Sequence, residues 1–137
     1  MPNFAELIAA GRNARAQHRL DEARSLYTQA AQLCLNDQNP LAYAHTIRHV
    51  ADMLLEESRY KEAKPLYEEA LKLYRGNLET RVLDLANTVR PYALVNEGLT
   101  DLEFARELLQ EARTLYAALR LDAGTTECDQ HLARLRP

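Results

Sequence analysis

The sequence predicts an all-α protein of three stacked helical hairpins closed by a C-terminal capping helix, seven helices in total. Three observations lead there. Four glycines and five prolines are all that interrupt 137 residues. Apolar side chains recur at helical rather than strand spacing nearly everywhere. One block of apolar and small residues also returns twice, after 40 and then 42 residues, a repetition hard to obtain by chance.

The block first reads Leu20, Ala23, Leu26, Tyr27, Ala30, Ala31, Cys34. It returns as Tyr60, Ala63, Leu66, Tyr67, Ala70, Leu71, Tyr74. The third copy is Leu102, Ala105, Leu108, Leu109, Ala112 and Tyr116, with Arg113 breaking the pattern. A second amphipathic segment precedes each copy: Leu7, Ala10, Gly11, Ala14; Ile47, Val50, Ala51, Leu54; Val89, Tyr92, Ala93, Asn96. The small residue Gly11, Ala51 or Ala93 lies twelve positions before the alanine anchoring its partner helix. Small side chains there let two antiparallel backbones approach closely.

Repeat 1 should span about 4–38, repeat 2 about 40–76 and repeat 3 about 79–121. Asn39 can cap a helix beginning at Pro40. Thr100 with Glu103 reads as a capping box, and Gly76 and Gly98 sit where helices should stop. Pro65 falls near the start of its helix, whereas Pro91 lies inside the third A helix and should kink it. Gly124 can end a helix and Thr125 or Thr126 can open the capping helix, about 125–136. Its apolar stripe of Cys128, Leu132 and Leu135 would cover the flank of the last repeat.

Read together, these segments resemble the tetratricopeptide repeat, a helix with a small residue followed by one reading A-x-x-x-[YF/L]-x-x-A. The stretch RYKEAKPLYEEALKLY (59–74) is especially similar to the longer repeats, of about 42 residues, in kinesin light chains. The resemblance covers roughly residues 4–120 and implies a right-handed α-solenoid whose A helices line a concave wall. It also implies a scaffold that binds other proteins. The proline that usually closes each repeat is absent at Leu35, Arg75 and Ala117. Relatives that clamp chaperone C-termini use a Lys and Asn set; the matching positions here are Ile8, Arg12, His49, Asn87 and Pro91. Only Asn87 and the basicity of Arg12 come near, so that function is not carried over.

Facing the concave wall are Ala5, Ile8, Ala9, Arg12 and Arg15 in repeat 1. Repeat 2 contributes His45, Arg48, His49, Asp52 and Leu55, and repeat 3 Asn87, Arg90, Pro91, Leu94 and Glu97. Thus Arg12, Arg15, Arg48, Arg90, His45, His49 and Asn87 stand against Asp52 and Glu97, in a chain of net charge −3. Planar guanidinium forks favour carboxylates and phosphates, so a partner peptide rich in acidic groups is expected. The plainer alternative is that the arginines pair with Asp52, Glu97 or Glu56. A self-assembling homodimer is the competing function.

His45, His49 and Asp52 share one helix face and could together hold zinc. Repeat geometry places groove residues at these offsets in any case, and flanking arginines such as Arg12 and Arg90 would repel a cation. No metal, cofactor or catalytic site is expected. Tyr27, Tyr67, Tyr74 and Tyr116 read as packing residues, while Tyr43 can reach the groove edge. Seventeen basic against twenty acidic residues argue against nucleic acid or an anionic membrane as partner. The chain shows no apolar run of bilayer length and no basic region ahead of its first apolar patch. Cys34 and Cys128 read as buried reduced thiols, and a cytoplasmic protein is expected.

Overall fold

The computed structural model describes residues 1–136. Its regular elements are α1 (Phe4–Ala16), α2 (Leu20–Asn36), α3 (Pro40–Glu56), α4 (Tyr60–Arg75), α5 (Val82–Gly98), α6 (Leu102–Ala118) and α7 (Asp122–Arg134). Consecutive helices pack as antiparallel neighbours, so α1–α2, α3–α4 and α5–α6 form hairpins, and α7 lies on α6. Among contacts beyond chain neighbours, α5 leans on α3, and no comparable contact joins α1 to α3.

The repeated positions make the core. Ala51 and Ala93 have no exposed surface, and Ala23, Ala63 and Ala105, which anchor the second helices, have none either. Gly11 is buried against the ring of Tyr27, whose carbons would lie 3.2 Å from an added Cβ. Burial follows the predicted stripes except at Ala10 and Leu102, which are exposed. Cys34 and Cys128 are buried free thiols.

Helix ends depart more from the sequence reading. Asn3 caps α1, and Asn39 caps α3 ahead of Pro40, its side chain accepting from the Ala42 amide at 3.2 Å. The cap of α6 is Asp101, which accepts from the Phe104 amide, not Thr100. Thr100 instead sits at φ 64°, the left-handed position that closes α5. Its amide reaches the Glu97 carbonyl and that of Asp101 reaches Asn96, the paired bonds of a Schellman ending. His18, Gln38, Ser58 and Arg120 close their helices in the same way, and none of the five is glycine. Gly124, expected to end a helix, lies inside α7, which starts at Asp122. A Cβ there would meet the Tyr116 ring at 2.6 Å, so glycine is needed for close approach rather than for a turn.

A β-branched residue in left-handed backbone is strained by about 1–2 kcal/mol, of which glycine's larger unfolded-state entropy offsets part. Thr100→Gly is therefore expected to stabilise the fold by about 0.5–1 kcal/mol. Urea denaturation should show a higher midpoint with an unchanged slope.

Candidate functional site

Most of the residues expected on the wall of α1, α3 and α5 line one of two separate depressions, while Ala5, Ala9 and Glu97 line neither. The larger, of about 340 Å³, is lined by Arg15, Arg48, Asp52, Leu55, Glu56, Asn87, Arg90, Pro91 and Leu94. The smaller, about 210 Å³, lies between α1 and α3 and takes in Arg12, His45 and His49. The histidines and Asp52 therefore do not share a site, and no group of three metal-ligating side chains occurs among the described residues.

The larger depression is floored by a polar chain. Pro91 has no N–H, so the Asn87 carbonyl loses its donor within α5. Arg48 lies across from it, with Nη1 3.4 Å from that oxygen and 3.3 Å from Asp52. The proline expected to distort the wall thus exposes a backbone acceptor, which a neighbouring helix uses. Asp52 accepts the Tyr67 hydroxyl at 2.5 Å. Burial raises its pKa, and the Tyr67 donation and the guanidiniums of Arg48, Arg15 and Arg90 only partly oppose this. In the next repeat the Tyr116 hydroxyl donates to Asn87 Oδ1 at 2.6 Å, and Arg90 reaches both Tyr116 and, at 2.8 Å, Glu127 of α7. Tyr67, Tyr116 and Glu127 were not identified as site residues from sequence. The signal available was tyrosine rather than phenylalanine at buried positions, since a buried hydroxyl needs a partner.

Most of the predicted cations are already paired. Arg15 holds Glu56, Arg48 holds Asp52 and Arg90 holds Glu127. Glu97 turns to Arg134 of α7 at 2.9 Å. Their exposure separates them: Glu56 is 59% and Glu127 44% exposed, against 12% for Arg48 and 22% for Asp52. Arg15–Glu56 and Arg90–Glu127 are rim contacts with exposed carboxylates, whereas Arg48–Asp52 is framework. Arg12 is exposed and has no ion pair among the described residues. Tyr43 points away from this wall. It lines a furrow with α2 and α4 residues, and its hydroxyl donates to Glu69 at 2.8 Å.

In the smaller depression the two imidazoles meet edge to face, their Nε2 atoms 3.2 Å apart, and His49 stacks on Tyr27. Burial and the Arg48 charge lower both pKa values, that of His49 to about 3, with Arg12 adding in each case. Both rings are thus neutral near pH 7. A free imidazole titrates near 6.5, so the unfolded chain binds a proton there that folded His49 refuses. His49's contribution to stability is complete above pH 6.5 and is lost as the pH falls toward 3. In His49→Gln, the stability lost between about pH 6.5 and 5 should be smaller than in the parent, as measured by denaturant titrations across that range.

A tetratricopeptide repeat model matches residues 5–76. The Arabidopsis thaliana protein "KINESIN LIGHT CHAIN-RELATED 3" is 30% identical over an alignment of 103 residues that covers 72% of this chain. The match covers 16% of the plant protein. The crystal structure of BtubC (BKLC) from P. vanneervenii is similar with a TM-score of 0.71 at 13% identity, over 97% of this chain and 63% of that one. At that identity the likeness is one of fold. The family model's match over more than half of the sequence makes this chain a member of the tetratricopeptide repeat family.

Proposed function

We propose that the chain is a protein-interaction module whose concave wall holds an acidic segment of a partner protein. One observation carries the reading: the α3–α5 depression is rimmed by two guanidiniums, Arg15 and Arg90, whose present carboxylates are surface-exposed. Exposed ion pairs contribute only about 0.2–1 kcal/mol, so a partner's carboxylate can replace Glu56 or Glu127 at little cost. Arg48 and Asp52, half-enclosed and tied to Tyr67 and the Asn87 carbonyl, keep the wall rigid beneath them. Leu55 and Leu94 supply the apolar share of the contact. His45 and His49 lie outside this depression.

The test is a peptide array in which each acidic peptide is paired with its glutamine version. Retention of acidic members, weakened about tenfold by Arg15→Glu and by raised salt, supports the reading. Equal retention of the glutamine versions contradicts it. Light scattering addresses the self-assembly alternative, for which the apparent mass must rise with concentration.

A further inference from the structure

The depression between α1 and α3 has a different chemistry from the peptide wall. Phe4, Ile8 and Arg12 follow one another at four-residue steps down one face of α1, and Ala42, His45, Thr46 and His49 line one face of α3. Tyr27 of α2 closes the back, held in place by its approach to Gly11. At about 210 Å³ the space exceeds the roughly 150 Å³ apolar cavity known to accept benzene. Phe4, Ile8, Tyr27 and Ala42 give it an apolar side, and the two imidazoles spend their Nε2 atoms on each other. Two features remain unsatisfied there. His49 Nδ1 is buried without a partner, and Arg12 has no ion pair among the described residues.

We propose that this cavity is a binding site for a small organic acid, a single ring or branched aliphatic group carrying one carboxylate. The apolar body fills the space between Ile8, Ala42 and Tyr27. The carboxylate sits at the mouth on the Arg12 guanidinium, where desolvation by the ring strengthens the pair. Arg48, Arg15 and Arg12 all bear on His49 and make the local field positive, while at His45 the Asp84 carboxylate of α5 opposes Arg48, Arg81 and Arg12. The part of the acid held there must be small, because the space is about 210 Å³, and the site shares no lining residue with the α3–α5 depression. The site is thus independent of the acidic-peptide reading.

Phenylacetate is the probe, with 2-phenylethanol as its neutral counterpart and acetate as the acid without a ring. Binding is read from the His45, His49 and Tyr27 ring resonances. Phenylacetate should shift these saturably, with a Kd of order 1 mM, at least fivefold tighter than 2-phenylethanol and far tighter than acetate. Arg12→Gln, at an exposed position, should weaken phenylacetate at least fivefold and leave 2-phenylethanol unchanged. Ala42→Leu, which fills the cavity, should abolish the shifts. A thermal melt checks that both variants are folded, and Ala42→Val serves as the milder filling if Ala42→Leu is not. The proposal is overturned if phenylacetate produces no saturable shift up to about 20 mM. It is equally overturned if Arg12→Gln binds phenylacetate like the parent, or if a folded filled variant binds unchanged.

Discussion

Tyr67→Ala is expected to lower the stability of the fold by about 4 kcal/mol, and Tyr67→Phe by about 2 kcal/mol. The ring has no exposed surface and packs 6.2 Å from Tyr92, so truncation leaves a cavity between the second and third repeats. The phenylalanine variant isolates the hydroxyl. Asp52, partly buried, would lose its 2.5 Å donor and keep only Arg48. Its pKa, already raised by burial, would rise further. A raised carboxylate pKa means that the folded state takes up its proton more readily than the unfolded chain. The deficit of Tyr67→Phe should therefore be largest at neutral pH and shrink as the solution is acidified. Denaturant titrations at several pH values check both the size and the trend.

Ala51→Leu should cost about 3 kcal/mol. Ala51 has no exposed surface and belongs to the main core, on a helix that packs closely against α4. Added carbons there must push the two helices apart or force side chains off their rotamers. Leucine at exposed Ala9 on the neighbouring A helix should be close to neutral. Thermal unfolding of the pair compares the two sites, and a neutral Ala51→Leu would show that close approach is not what the small residue provides.

The hairpins were legible because a helix face is a local property: Ala51, Val50 and Leu54 fall together by spacing alone, whatever packs against them. Helix ends were less legible. Glycine marks a left-handed closing residue only when the chain uses glycine, and here His18, Gln38, Ser58, Thr100 and Arg120 take that role. Gly98 and Gly124 instead lie against Tyr60 and Tyr116, partners that local spacing does not reveal. Spacing assigns the candidate wall residues to one face of each A helix, but not their division into two depressions, nor that Ala5, Ala9 and Glu97 line neither. One depression takes its lining from α1, α2 and α3 and the other from α1, α3 and α5, a grouping that local spacing does not reveal. Glu56 was readable as a partner for a groove arginine, one turn beyond Asp52 on the same helix. Glu127 was not, since it reaches Arg90 from the capping helix, 37 residues away.

The acidic-partner reading turns on whether Glu56 occupies a site that a ligand needs. The most direct measurement is the affinity of one array-selected acidic peptide for Glu56→Gln, compared with Glu103→Gln, an exposed carboxylate in the first turn of α6 outside the wall. Both variants change the net charge equally. Freeing Arg15 should tighten the peptide several-fold in Glu56→Gln and leave Glu103→Gln near the parent. Identical affinities in the two variants would contradict the account.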